Sequence, residues 1–203
     1  MAEHLTFNQG VRSSNLRWVT NLIINKIPEY IVTSGGFAFK DYYINGGGVT
    51  FSGGEPLAQK AFLSEITDAC KEQKIHCAIE TSLIYYDEAV LQKLDLVMAD
   101  LKIWDDQLHR TYTGVSNAKI KENFKRLDAL KVPIVARTPV IPGIQQGIEQ
   151  IAAFLKELKH VIKYELLPYH PLGESKRQAL GLKRTGFQQP TKEYMKQLEA
   201  YTF

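Results

Sequence analysis

Short β-rich runs alternate with helical stretches from residue 46 onward, and this alternation restricts the possible folds more than any other feature of the chain. Five strands are predicted, at residues 49–52, 75–80, 96–101, 134–140 and 162–167. Helices are predicted at residues 57–73, 86–93, 120–130, 148–158 and 191–201. Strands that alternate with helices form right-handed crossovers, which build a parallel sheet that is either open or curled into a barrel. The pattern therefore predicts an α/β fold.

The strand prediction differs in quality along the chain. The run at residues 96–101 is almost entirely apolar, which predicts a strand that is buried on both faces of the sheet. Residues 30–33 and 37–43 favour strands but cannot be placed in the alternating pattern. We therefore divide the chain into a divergent or truncated N-terminal segment, residues 1–45, and a barrel domain, residues 46–203.

Composition excludes several classes of protein. A chain of 203 residues can bury one sizeable core, and a formal net charge of +3 is too small to indicate a nucleic-acid partner. No apolar run reaches the roughly 18 residues of a membrane span. Polar residues such as Glu3, His4 and Asn8 interrupt any apolar signal sequence. We expect a cytoplasmic protein that binds neither a membrane nor a nucleic acid.

The two cysteines, Cys70 and Cys77, do not form a recognisable metal or redox motif. Their spacing differs from that of zinc ribbons, Cys-x-x-Cys pairs and iron–sulfur motifs. We interpret both as reduced, partly buried thiols.

Polar residues cluster at the ends of the predicted strands. Glycines and a glutamate follow the first strand, Glu80 and Thr81 end the second, and Asp100 and Lys102 end the third. Arg137 lies in the fourth strand and His170 follows the fifth. The carboxyl ends of parallel strands meet at one edge of the sheet, where α/β proteins bind their ligands. The sequence therefore predicts a site at this edge.

Each of these groups has both a functional and a purely structural interpretation. Asp100 and Lys102 are two residues apart on a strand, so they share one face and could either bind a ribose or form a structural ion pair. Arg137 needs an acceptor, which could be a substrate carbonyl or Glu165 on the next strand. His170 could exchange protons with a ligand or simply lie in a loop.

Four blocks of sequence occur in an order that is typical of a known family: GGGVTFSGGEPL at 46–57, DLVMADLKIW at 95–104, VIPG at 140–143 and KYELLPYHPLG at 163–173. In this order they resemble the activating enzymes of glycyl radical enzymes, relatives of pyruvate formate-lyase activating enzyme in the radical S-adenosylmethionine (SAM) superfamily. The resemblance implies a partial parallel (β/α) barrel whose first strand–helix unit is missing or degenerate here. It also implies a 4Fe–4S cluster at which SAM is reductively cleaved, and a 5′-deoxyadenosyl radical that abstracts hydrogen from a glycine of a partner enzyme. The implied partners are that glycyl radical enzyme and an electron donor such as flavodoxin.

The same resemblance implies roles for individual residues. The implied SAM-binding residues lie at the ends of three strands: Gly53, Gly54, Glu55, Asp100, Leu101, Lys102 and His170. Backbone oxygens of the first three would bind the methionine amino group, Asp100 and Lys102 would hold the ribose and carboxylate, and the histidine would contact the cofactor. Arg137 would steady the glycine-bearing loop of the partner. No catalytic residue is assigned.

A monovalent cation is implied by the same comparison. Its ligands would be Glu80, Thr81, Asp100 and the carbonyl of Met98. After Thr81 the chain departs from the family, which often has Asn-Gly where Ser82 and Leu83 stand here.

The largest departure concerns the iron–sulfur cluster. The family holds it with Cys-x-x-x-Cys-x-x-Cys after the first strand, whereas no cysteine precedes Cys70 here. Three interpretations stay open. The chain is an activating enzyme that is inactive as written, or a non-catalytic module that binds SAM or the partner. Alternatively, it is an unrelated barrel enzyme that uses Asp100, Lys102 and His170 as acid–base groups.

Overall fold

The computed structural model describes residues 48–171, 181 and 185–203. The strands are β1 (Gly48–Phe51), β2 (His76–Thr81), β3 (Leu96–Asp100), β4 (Ile134–Val140) and β5 (Val161–Pro168). The α-helices are α1 (Lys60–Glu72), α2 (Glu88–Leu91), α3 (Asp106–Thr113), α4 (Ala118–Ala129), α5 (Ile148–Lys156) and α6 (Lys192–Leu198). Two short 3-10 helices, Pro56–Gln59 and Glu199–Tyr201, precede α1 and follow α6.

The five strands form one parallel sheet in the order in which they occur along the chain, β1-β2-β3-β4-β5. An unbroken sequential order has no point at which the winding reverses, which distinguishes a barrel-type sheet from a doubly wound one. This confirms the predicted α/β class, and the arrangement is consistent with a partial barrel. The predicted N-terminal segment, with its strand-like residues 30–33 and 37–43, lies outside the described residues.

The two faces of the sheet differ in character. On the helix-covered face, Val97, Ala99 and Leu101 of the third unit are fully buried, and they join a continuous apolar core with side chains from the surrounding helices. On the other face, Leu96, Met98 and Asp100 are only half-buried. The expectation that residues 96–101 are buried on both faces was therefore wrong, because alternate residues of β3 lie on the face of the sheet that carries the ion pairs described below.

Helix boundaries follow local capping chemistry. Pro56 at the first helical position confirms the predicted start, since the Glu55 carboxylate accepts a hydrogen bond from the backbone N–H of Leu57. Helix α2 is shorter than predicted, at four residues. Helix α3 was missed, although Asp105 caps its start and Gly114 ends it in the left-handed conformation. Its β-prone Thr111, Tyr112 and Thr113 hid the signal.

In the ranges that the structure describes, no helix has both the length and the apolar character to cross a membrane.

Candidate functional site

A chain of ion pairs links three neighbouring strands at their carboxyl ends. The guanidinium of Arg137 donates from Nη1 to Oε1 of Glu80 (2.9 Å) and from Nε to Oδ1 of Asp100 (3.1 Å). Asp100 and Arg137 are paired in the register of β3 and β4, so the strands themselves bring the two side chains together. Ser52, which follows β1, donates its hydroxyl to Oε2 of Glu80 at 2.6 Å. The network therefore crosses the sheet from the end of β1 to β4.

Lys102 adds a second cation to this network. Its Nζ lies 3.6 Å from Oδ2 of Asp100, and the two side chains are 15% and 19% exposed. Asp100 thus contacts two cations at once, one on each carboxylate oxygen. The sequence prediction that Asp100 and Lys102 share a face is confirmed.

Arg137 is charged and firmly held. Burial on its own lowers the pKa of the guanidinium, but the carboxylates of Asp100 and Glu80 outweigh it, so the pKa is raised. Glu165 is in register with Arg137, yet its carboxylate pairs with Lys163 at 2.6 Å instead. The suggested partnership of Arg137 with Glu165 was therefore wrong. The reason is that two carboxylates on the β2–β3 side already use the guanidinium.

The glutamate of the Gly-Gly-Glu turn connects the ends of β1 and β2. Its carboxylate accepts hydrogen bonds from the Thr81 hydroxyl (2.7 Å), the Ser82 backbone N–H (2.8 Å) and the Ser82 hydroxyl (2.6 Å). The side chain of Glu55 is thus committed to the protein. Any ligand at this turn would meet the backbone, and the space beside Gly54 is open, with no atom within 4 Å of a Cβ placed there.

Ser82 and Leu83, where the sequence departs from the family pattern, have structural roles of their own. Leu83 has a φ of 56°, in the left-handed region that glycine adopts without strain, and its side chain is fully buried. The side-chain amide of Asn123 donates a hydrogen bond to the Leu83 carbonyl at 2.8 Å. Burial of the leucine side chain thus offsets the backbone strain at this position.

The remaining predicted site residues are His170 and Leu101. His170 is exposed and follows Tyr169, whose backbone N–H donates to the carbonyl of Val140 at 3.0 Å. Leu101 is fully buried, and its backbone N–H donates to the carbonyl of Arg137. Both stay predictions as SAM-binding residues.

Three of the four implied cation ligands are already engaged by protein groups. Glu80 and Asp100 bind Arg137, and the Thr81 hydroxyl donates to Glu55. The guanidinium thus supplies positive charge between the two carboxylates. The cation site stays a prediction.

The two cysteines lie away from this edge. Cys70 is in the last turn of α1 and Cys77 is the second residue of β2, at the end opposite Thr81, and both are free and buried. Burial and a hydrogen bond with Cys70 raise the pKa of Cys77, with the hydrogen bond the larger cause. Two buried thiols at this position do not match the three thiolates that the resemblance implies for a cluster.

Sequence reasoning missed several polar residues that support the site. Ser52 and Ser82 brace the two glutamates, and Thr138, Gln146 and Asn117 are buried polar side chains near Lys102. Ser52 and Ser82 follow strands, and Asn117 and Gln146 lie before helices, which is a weak signal of their roles. Thr138, Gln146 and Asn117 donate to backbone carbonyls, which every residue type carries, so sequence patterns do not reveal these contacts.

Comparison with known proteins places this geometry in a family. A family model described as the radical SAM superfamily matches residues 38–155. The pyruvate formate-lyase-activating enzyme of Clostridium pasteurianum is 39% identical over 171 residues, which are 80% of this chain and 72% of that protein. The isethionate sulfite-lyase activating enzyme of Desulfovibrio desulfuricans is 41% identical over 148 residues, 69% of this chain. The matched part is 47% of that relative, so the chain spans about half its length.

A solved structure agrees with the sequence relatives. The crystal structure of a domain of pyruvate-formate lyase-activating enzyme from Bacteroides vulgatus superimposes with a TM-score of 0.63 at 34% identity. The match covers 77% of this chain and 92% of that domain. The chain therefore belongs to the radical SAM superfamily and, within it, to the family of the pyruvate formate-lyase-activating enzymes.

Proposed function

We propose that this chain forms the SAM-binding and partner-binding part of an activating enzyme for a glycyl radical enzyme. The observation that carries the proposal is the ion-pair network on three neighbouring strands, where Glu80, Asp100 and Lys102 from the ends of β2 and β3 meet Arg137 of β4. Relatives whose names describe activating enzymes support the same conclusion.

The residues of this edge are suited to SAM by charge. Two carboxylates and two cations balance within the network, and Glu55 adds one uncompensated negative charge held by hydroxyl and N–H groups. SAM carries an ammonium, a sulfonium and a carboxylate, and therefore one net positive charge at neutral pH. An edge with a small negative excess attracts such a ligand.

The proposed contacts follow from the chemistry of each group. Backbone carbonyls of Gly53 to Glu55 accept hydrogen bonds from the ammonium of SAM, while the Glu55 side chain keeps that turn in place. The Asp100 carboxylate accepts from the ribose hydroxyls, and Lys102 binds the carboxylate of the ligand. His170 provides a further polar contact. When bound beside a reduced iron–sulfur cluster, SAM supplies the hydrogen-abstracting group of this superfamily.

Arg137 has a proposed second role toward the partner. Its Nη2 makes no hydrogen bond with the residues that the structure describes, so it is available to a backbone carbonyl of the glycine-bearing loop. A glycyl radical enzyme is accordingly the proposed protein partner, with a flavodoxin-like protein as the electron donor.

A binding role without radical chemistry is the second candidate. The buried positions of Cys70 and Cys77 favour it, because the cluster ligands of the family have no counterpart at the site among the cysteines of this sequence. Radical formation would then depend on cluster ligands supplied from outside this sequence. The acid–base alternative finds no comparable support, since Asp100 is already paired with both Arg137 and Lys102.

Calorimetric titration of the purified chain with SAM tests the proposal. We expect saturable binding that Asp100→Asn weakens about tenfold, because a charge-assisted hydrogen bond to the ribose is lost. Asp68→Asn is the matched control: it makes the same change in an exposed carboxylate that pairs with Lys93, and it should leave binding unchanged. Absence of SAM binding by the unmodified chain would refute the proposal.

A further inference from the structure

The four residues that follow the strand end at Asp100 are fixed by an unusual set of contacts. Each of the consecutive carbonyls of Leu101, Lys102, Ile103 and Trp104 accepts a hydrogen bond from a side chain of another element. Backbone carbonyls beyond a strand normally bond to water or to the backbone. We call residues 101–104 the bracketed segment.

Two of the donors come from β4 and the loop that follows it. The Thr138 hydroxyl donates to the Leu101 carbonyl at 2.6 Å and itself accepts from the Tyr164 hydroxyl at 3.0 Å. The Gln146 amide donates to the Lys102 carbonyl at 2.9 Å, while its Oε1 accepts from the backbone N–H of Ile141 at 2.9 Å. Thr138 is fully buried and Gln146 is 4% exposed, so neither bond competes with water.

The other donors come from the start of α4. The Asn117 amide donates to the carbonyls of Ile103 (2.8 Å) and Trp104 (2.7 Å), and Lys121 also donates to Trp104. The Oδ1 of Asn117 is buried without a hydrogen-bond partner in the described part of the chain. Because burying an acceptor without a partner costs free energy, the two hydrogen bonds that the Asn117 amide donates are the contacts that favour this side-chain position.

The position of the segment indicates its purpose. Lys102 is its second residue, and the ammonium of Lys102 pairs with Asp100 in the ion-pair network. A lysine side chain is long and has many rotamers, so the placement of its ammonium depends on a fixed backbone. All these donors act on the backbone and leave the Lys102 ammonium available.

We propose that Thr138, Gln146 and Asn117 are positioning residues that set the affinity for SAM by fixing the backbone that carries Lys102. The proposal rests on the proposed function, because it concerns the same SAM site. It assigns a role to three buried polar residues whose hydrogen bonds, within the described residues, do not include the charged groups of the ion-pair network.

The test is SAM titration of variants with closely matched controls. Thr138→Val removes the hydroxyl and keeps the shape of the side chain. Thr67→Val is its control, because Thr67 in α1 is also fully buried and its hydroxyl donates to the Leu63 carbonyl at 2.6 Å. Gln146→Met is matched by Gln145→Met at the exposed neighbour. We expect Thr138→Val and Gln146→Met to weaken SAM binding about tenfold and the controls to stay within about twofold. Thr138→Ser, which keeps the hydroxyl, should restore binding.

A double-mutant cycle with Lys102→Met separates positioning from general loosening of the fold. If Gln146 acts through Lys102, Gln146→Met has no further effect on SAM affinity once Lys102 is replaced. An equal loss in the Lys102→Met background, or unchanged binding in both single variants, overturns the inference. If circular dichroism shows that Gln146→Met does not fold, the same double-mutant cycle is measured with Thr138→Val in place of Gln146→Met. Lack of SAM binding by the unmodified chain overturns the proposed function and this inference together, and the first titration alone reveals that case.

Discussion

At the residue scale, Arg137 is the side chain on which most of the site depends. It neutralises two carboxylates from neighbouring strands, and only 10% of its side chain is exposed. Without Arg137, the half-buried carboxylates of Glu80 and Asp100 would repel each other, because the cation that pairs with both would be missing. Lys102 could not replace it, since among the described residues its ammonium pairs with Asp100, whereas Glu80 pairs with Arg137.

We predict that Arg137→Gln destabilises the fold by about 3–5 kcal/mol, because it leaves partly buried charges uncompensated. Urea unfolding followed by circular dichroism measures the change. Arg110→Gln, which breaks an exposed pair with Asp106 within α3, should cost less than about 1 kcal/mol. Equal effects of the two substitutions would contradict the central place of Arg137 in the network.

The buried imidazole of His109 predicts a dependence of stability on pH. Burial is the main cause that lowers its pKa below the ordinary 6.5, while its Nδ1 lies 2.8 Å from the carbonyl of Val115. The unfolded chain therefore binds a proton more readily than the folded one below pH 6.5, so stability falls as the pH falls from that value toward the lowered pKa.

His109→Asn should remove this dependence while keeping a donor for the Val115 carbonyl. We expect the variant to be less stable at pH 8 but to lose less stability than the unmodified protein between about pH 7 and 5. Thermal unfolding at several pH values measures both. Parallel pH curves for the two proteins would show that His109 is not the group responsible.

At the scale of secondary-structure elements, the approach of α5 to the bracketed segment is tightly constrained. Gly147 precedes α5 with a φ of +68°, and a Cβ placed on it would lie 2.7 Å from the Cβ of Trp104. The backbone N–H of Trp104 also donates to the Gln146 carbonyl at 2.8 Å. The start of α5 and the end of the bracketed segment therefore have to move together.

Gly147→Ala should destabilise the protein by about 2–4 kcal/mol, from a strained left-handed backbone and from the collision with Trp104. Gly143→Ala provides the control, because Gly143 also has a positive φ, +84°, but has open space around it. The difference in unfolding free energy between the two variants isolates the collision. Identical losses would mean that the backbone strain alone matters.

At the scale of the whole molecule, the sheet separates the cysteines from the site. Cys70 and Cys77 lie toward the amino end of β2, and the ion-pair network lies at its carboxyl end. The two thiols are therefore neither numerous enough nor near enough to serve a cluster beside the proposed SAM site.

Anaerobic reconstitution with iron and sulfide should accordingly yield no stoichiometric 4Fe–4S cluster on this chain. Iron analysis and electron paramagnetic resonance of the reduced sample measure it. A Cys70→Ala/Cys77→Ala variant shows whether any bound iron depends on these thiols. A stoichiometric cluster signal in the unmodified chain would contradict the prediction and would make assays of radical formation worthwhile.

The sequence by itself determined the order of strands and helices, the parallel sheet and the edge at which the polar residues gather. These features follow from local periodicity and from the rule that parallel strands end together, which needs no knowledge of contacts. The resemblance of the four sequence blocks to a known family implied which of these residues bind SAM. Strand β4 was predicted with its observed bounds, Ile134–Val140. Helix α3 was not predicted, because the β-prone residues of its last turn outweighed the signal from its capping residues.

Only the tertiary structure decided how the polar groups are paired. Arg137 could have met Glu165, which is in register with it, but its guanidinium instead reaches across two strands to Asp100 and Glu80. The hydrogen bonds to the carbonyls of residues 101–104 were equally invisible, because a carbonyl is the same acceptor in every residue type. Which charges and amides meet depends on side-chain reach across strands far apart in sequence, and local sequence patterns do not encode that distance.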